Sequence, residues 1–126
     1  MWRLFSTCAL LTLLTLLAGC AGQNIDPRGY NETGSASFYG AKHQGKRTAS
    51  GERFDQNLLT AAHRDLPFGT RLLITNLGND KTVEVRVNDR GPHSHGRLID
   101  LSRKAAEQLG MLSAGVARVR VQTLGD

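Results

Sequence analysis

Val83-Glu-Val-Arg-Val-Asn-Asp-Arg-Gly-Pro-His-Ser-His-Gly-Arg-Leu-Ile-Asp-Leu-Ser102 is the stretch that decides the fold of this chain. Val83, Val85 and Val87 alternate with Glu84, Arg86 and Asn88, and period-two alternation over that length predicts a half-buried strand. The strand stops at Asn88-Asp89-Arg90-Gly91-Pro92, where Gly and Pro enforce a turn and leave polar side chains at its tip. A second short apolar run, Leu98-Ile99, carries Asp100 to the start of a predicted helix. Two carboxylates, Asp89 and Asp100, therefore fall at strand ends on a rigid support, the place where a functional site is best built.

Working outward, Arg71-Leu-Leu-Ile-Thr-Asn76 predicts a strand, and Leu77-Gly-Asn-Asp80 a hairpin loop into the Val83 strand. Ser102 is a plausible N-cap for a helix from Arg103 to Leu109, with Gly110 as its stop. Val116 to Thr123 alternates again, placing Ala117, Val119 and Val121 inward and Arg118, Arg120 and Gln122 outward. On the N-terminal side, Gly34-Ser-Ala-Ser-Phe-Tyr-Gly40 predicts a first strand, followed by a glycine-punctuated loop to Gly51 and a turn at Leu66-Pro-Phe-Gly-Thr70. Short strands with one clear helix point to a small closed or nearly closed barrel, which manages unpaired edges best. Leu66-x-x-Gly69 and Leu112-x-x-Gly115 each lead into a strand, a faint echo consistent with two similar halves.

The chain has 126 residues and a formal charge of +5, enough for one domain at most once the N-terminus is set aside. Arg3 is the only charged residue before Cys20, which leaves 15 basic against 11 acidic residues, or +4. Such a balance favours anionic partners. The basic residues are scattered singly with no aromatic-studded run, so nucleic acid is not expected.

Residues 1–19 hold one basic residue and then an apolar core ending in small residues, too short for a comfortable membrane span; they predict a secretory signal peptide. Leu17-Ala18-Gly19-Cys20 resembles the bacterial lipobox, which implies lipidation of Cys20. Cys8 leaves with the signal, so no intramolecular disulfide is expected and the fold must stand on its core alone. Residues 20–33 predict a lipidated N-terminus and flexible tether, and residues 34–126 the folded domain. Ala21 in place of Asp implies outer-membrane sorting in a two-membrane envelope.

Thr48-Ala-Ser-Gly-Glu-Arg-Phe-Asp55, Leu59-Thr-Ala-Ala-His63, Leu66-Pro-Phe-Gly-Thr70, Val87-Asn-Asp-Arg-Gly-Pro92 and Ile99-Asp-Leu-Ser102 occur in order. Together they resemble the rare lipoprotein A family of septal lytic transglycosylases, from about Gly34 to Leu124. The resemblance implies a mainly β chain, a six-stranded double-psi β-barrel with one or two short helices. It also implies cleavage of peptidoglycan glycan strands, preferably without stem peptides, to 1,6-anhydro-muramic products. A non-catalytic, expansin-like wall-binding lipoprotein is the alternative, and a structural envelope lipoprotein that docks a protein is a third. Fuller members carry a C-terminal sporulation-related peptidoglycan-binding domain; this chain stops at Asp126 after the last strand, so the single-domain form is expected and septal targeting is not supported.

A lytic transglycosylase needs a group to protonate the leaving glycosidic oxygen, and a base, which can be the same group, to take the proton of the sugar's C6 hydroxyl. No water enters, so the acid–water–base spacing of an inverting hydrolase is not required. The resemblance points to Asp89 and Glu52 as acid/base candidates, His63 as the residue that orients a carboxylate, Asp55 as its neighbour, and Asp100 by the expansin pattern of Asp before Leu-Ser. Ser37, Tyr39, Thr48 and Arg90 are the substrate-binding candidates, and Arg90 and Arg97 are potential ion-pair partners of the carboxylates. Plainer roles remain open: an Asx turn for Asp89, a helix-end acceptor for Asp100, a solvated loop charge for Glu52 and a buried ring for His63. His93-Ser-His95 lacks a supporting Cys or Glu, so neither metal nor cofactor is expected. Expected partners are glycan strands, the membrane through Cys20, and a cell-wall or division protein as a further candidate.

Overall fold

A computed structural model of the chain describes residues 24–125. Residues 1–19 and Cys20, on which the signal-peptide and lipidation expectations fall, lie outside the described residues. Six strands form, β1 (Asn31–Phe38), β2 (Thr60–Ala62), β3 (Arg71–Asn76), β4 (Thr82–Asp89), β5 (Arg97–Leu101) and β6 (Ala117–Thr123), with α1 (Arg103–Gln108) between the last two. They close into a barrel in the order β1-β5-β2-β4-β3-β6, so no strand edge is left to be covered. The β1–β5 and β2–β4 pairs are parallel and the other four antiparallel.

Exchanging β1 with β4, β2 with β5 and β3 with β6 reproduces every pairing and its sense. Gly34↔Val119 of β1–β6 answers to Val85↔Leu72 of β4–β3, and the buried pair Ala36↔Ile99 of β1–β5 answers to the buried pair Val87↔Ala61 of β4–β2. The two glycines of the echo in the sequence, Gly69 and Gly115, are both at positive φ, 91° and 79°.

The alternation read from the sequence fills the barrel. Val83, Val85 and Val87 of β4, Leu72 and Ile74 of β3, and Val119 and Val121 of β6 are all buried. Each such side chain contributes roughly 1.5–3 kcal/mol by leaving water. No cysteine falls among the described residues, so this burial and the barrel ladders hold the fold. Asn88 departs from its expected outward face and is buried, because the Thr48–Glu52 turn lies over it and Ser50 N donates to its carbonyl at 3.3 Å.

β2 carries no alternation to read, since Thr60, Ala61 and Ala62 are all buried between β4 and β5. β1 begins at Asn31, ahead of the expected Gly34. The backbone before it is also held on the barrel, with Ile25 N donating to Asp65 O at 3.0 Å, where a flexible tether was expected. Gly34 is required by close approach: a Cβ there would lie 2.9 Å from Leu98 Cβ on β5. Ser102 caps α1 as expected, its hydroxyl accepting from Ala105 N at 3.2 Å, and Gly110 ends it at φ 68°. Asn76 and Asn79 of the β3–β4 hairpin both donate to Leu109 O, at 2.8 and 3.0 Å, tying that hairpin to the helix end.

Candidate active site

Asp89 closes β4 and is fixed by three donors. Tyr39 OH donates to Oδ2 at 2.5 Å, and Oδ1 accepts from Ala49 N at 2.8 Å and Arg90 N at 2.9 Å. Asp100 lies on β5, where the Ser37 hydroxyl donates to its Oδ1. Ala62 of β2 is in register with Asp89 on one side and Asp100 on the other. The two acids are thus one strand apart on either side of β2, with Cα atoms about 9–10 Å from each other by the usual strand spacing. Both face one groove of about 430 Å³, together with Ser37 and Tyr39 from the end of β1.

Tyr39 is set by its own neighbours. Its ring stacks on Phe54 at 4.4 Å and meets His43 edge-on at 5.2 Å. Burial pushes its phenol above the ordinary tyrosine range, and the Asp89 hydrogen bond pushes it further. The hydroxyl therefore stays a proton donor to Asp89 across the working pH range.

Glu52 is placed differently from the two aspartates. Its carboxylate is clasped by Arg86 Nη1 and Nη2, at 2.7 and 2.6 Å, and does not line the groove. The Arg86 hydrogen bonds hold its carboxyl below the ordinary range against a smaller effect of burial. The same turn does reach Asp89, however, through Ala49 N. Thr48 closes that turn, its hydroxyl donating to Glu52 O at 2.7 Å, and its side chain is not among the groove's lining.

His63 is buried beneath the site rather than in it. Its Nδ1 accepts from Asp65 N and Leu66 N, both at 3.1 Å, so Nε2 carries the proton and donates to Tyr30 OH at 2.8 Å. Burial lowers its pKa to about 4, which keeps the ring neutral. No hydrogen bond joins its ring to a carboxylate or to Asp55, which instead accepts from Asn57 N at 2.9 Å in an Asx turn. His63 touches the site through its backbone, its N donating to Asp89 O at 3.2 Å.

Arg90 does not ion-pair with the carboxylates. Its guanidinium donates to the carbonyls of His63 and Leu66, at 3.1 and 2.9 Å, and lies 4.0 Å from the centre of the Phe68 ring. Arg97 has no ion pair either among the described residues. His43, His93 and Ser94 also line the groove. His43 carried no sequence signal, since it sits in the aperiodic loop after β1. Among the described residues no three His, Cys, Asp or Glu side chains gather at metal-binding distance.

The fold and this groove have counterparts in known proteins. A family model described as lytic transglycolase matches residues 31–121. A probable endolytic peptidoglycan transglycosylase RlpA of Synechocystis is 60% identical over 86 residues, covering 68% of this chain and 27% of that protein. The endolytic peptidoglycan transglycosylase RlpA of Pasteurella multocida is 51% identical over 96 residues, 76% of this chain and 33% of that protein. The chain thus spans about a third or less of the length of these relatives. Among solved structures, an expansin of Clavibacter michiganensis superposes with a TM-score of 0.61 at 24% identity, covering 77% of this chain and 52% of that one. The Streptomyces papain inhibitor gives a TM-score of 0.62 at 22% identity, covering 76% and 96%. These likenesses are of fold, and they agree with the double-psi barrel implied by the sequence. The sequence match runs from β1 into β6 and takes in both groove aspartates, and the chain belongs to the lytic transglycolase family.

Proposed function

We propose that this domain cleaves peptidoglycan glycan strands as a lytic transglycosylase. Asp89 passes the proton, giving it to the departing glycosidic oxygen and regaining one from the muramic C6 hydroxyl as that oxygen attacks the anomeric carbon. The anomeric C–O bond breaks, a new bond to O6 forms, and no water is consumed. Asp100 supplies negative charge beside the oxocarbenium-like transition state. Glu52 and His63 act through position: Glu52 with Arg86 secures the turn that donates Ala49 N to Asp89, and His63 secures the strand end. The single observation that carries the reading is the pair Asp89 and Asp100, facing one groove and each oriented by a hydroxyl from the end of β1.

Product analysis on peptide-free glycan strands tests it. The expected products carry 1,6-anhydro-muramic ends. Reducing ends alone would make the protein a hydrolase. The expansin likeness favours a second reading, a non-catalytic wall-binding module, and one variant of that expansin was solved with cellohexaose. Co-sedimentation with the wall and no product of any kind is its signature.

The same proposal includes a lipid on Cys20 and a place in the bacterial envelope, at the outer membrane given Ala21. Its support is the Leu17-Ala18-Gly19-Cys20 run behind an apolar segment. An intact mass lacking residues 1–19 and carrying acyl chains is expected; an unmodified Cys20 would end that part.

A further inference from the structure

The groove holds two carboxylates and a cation that neither of them neutralises. Arg97 lines it beside Asp100 and is only half-exposed, yet among the described residues its guanidinium has no ion-pair or hydrogen-bond partner. The other groove arginine, Arg90, is already occupied by the His63 and Leu66 carbonyls. A partly buried guanidinium with its planar fork unfilled is suited to a carboxylate or phosphate supplied from outside.

Arg97 opens β5 and Asp100 lies three residues further along it. The bulge that sets Ser35 against Arg97 and Ser37 against Asp100 shortens that separation to about 7 Å, two residues of β1, and the long arginine side chain adds reach along a bound glycan. Ser35 faces Arg97 across the β1–β5 ladder as Ser37 faces Asp100, so the groove runs along this ladder from the reacting end to the cation.

The substrate proposed above has one anionic group per disaccharide, the carboxylate of the muramic lactyl ether. It is free when the strand bears no peptide. When a stem peptide is attached it becomes a neutral amide. We propose that Arg97 forms a carboxylate subsite for the lactyl group of a muramic residue bound in the groove, and that Arg97 is the residue that carries the preference for peptide-free strands expected from the family resemblance. The inference rests on the transglycosylase reading of the groove, and it adds the residue that selects the substrate.

The test compares two substrates on one protein: peptide-free strands, and the same strands with the lactyl carboxylates converted to neutral methylamides. Because each ratio is taken on the same sample, a change in folded fraction cancels. The unsubstituted protein is expected to prefer the free acid in kcat/KM by on the order of ten- to a hundredfold. Arg97→Gln is expected to bring that ratio close to unity, and Arg97→Lys, which keeps a point charge without the fork, to restore part of it. A ratio unchanged by Arg97→Gln overturns the subsite. Binding of both strand types to the Asp89→Asn variant, read by calorimetry, separates the two levels of the argument. A preference for the free acid that Arg97→Gln removes keeps the subsite even if no cleavage is seen. Equal binding of both strands refutes it even if cleavage is confirmed.

Discussion

Ser37 and Asp100 are direct partners in the parallel β1–β5 ladder, and their side chains are also joined by a hydrogen bond. A backbone register thus sets the orientation of a groove carboxylate. Ser37→Ala is expected to leave the barrel intact and reduce product formation about tenfold, the effect of losing one orienting hydrogen bond. Asp100→Asn should cost more, since it removes the charge itself. Rates of anhydro-product release, with thermal melting as the control for folding, check both.

Asp89→Asn places an amide where Ala49 N, Arg90 N and Tyr39 OH all require an acceptor. Activity is expected to fall by roughly 10²- to 10⁴-fold, the usual contribution of a positioned acid or base. Tyr39→Phe keeps the stack on Phe54 and removes only one donor, so a loss of about tenfold is expected. Equal losses in the two variants would show that Tyr39 does more than orient Asp89.

Glu52 and Arg86 separate a proton-transfer role from a structural one. If Glu52 acts by securing the Thr48–Glu52 turn, Glu52→Ala lowers activity and Glu52→Gln, which can still accept from Arg86, recovers part of it. Arg86→Gln should then resemble Glu52→Ala. An inactive Glu52→Gln beside an active Arg86→Gln would instead assign Glu52 to the proton transfer.

The pH dependence of stability has opposite signs at the two ends. His63 is depressed by burial to about 4, so the stability it confers is intact above the ordinary histidine value of 6.5 and is lost as pH falls through about 4. Its ring resonances should titrate near pH 4 and not near 6.5. Tyr30 is pushed up to about 12, chiefly by burial, and Tyr39 is raised as well, so both favour the folded state at neutral pH. That contribution is lost as pH rises past the ordinary value of 10.0 and through about 12. Ultraviolet titration of the folded protein should show no phenolate at pH 10.0, with both tyrosines appearing on unfolding.

Gly34→Ala tests the close approach of β1 to Leu98 of β5. The added Cβ would meet Leu98 Cβ at 2.9 Å, a contact that no side-chain rotation relieves. Overpacking of this kind costs about 1–3 kcal/mol, to be read from the urea midpoint. Adding Leu98→Ala should give back part of the loss, as expected for contacting residues.

The strands that line one wall of the core were legible because one face of each meets water: β3, β4 and β6 alternate plainly, and β3 has the expected bounds. β2 was not legible, because a three-residue strand buried on every side shows no period. The position of Asp89 and Asp100 at strand ends was also readable, since turn residues and a helix cap mark those ends locally. Their convergence beside Ala62 was not, because it depends on the order in which distant strands pair. Arg86 drawing Glu52 away from the groove, and Arg90 turning to the His63 and Leu66 carbonyls, are likewise choices between partners far apart in the chain.

Every ladder of the barrel joins one of β1–β3 to one of β4–β6. During synthesis, therefore, the first three strands emerge with nothing in the barrel to hydrogen-bond to, and no partial sheet can form until the Val83 strand has left the ribosome. Folding is then a late, all-at-once event dominated by distant contacts, and slow for a domain of this size. Two polypeptides cut in the Leu77–Asp80 loop should each remain unstructured alone and assemble on mixing, because each half carries only the other half's neighbours.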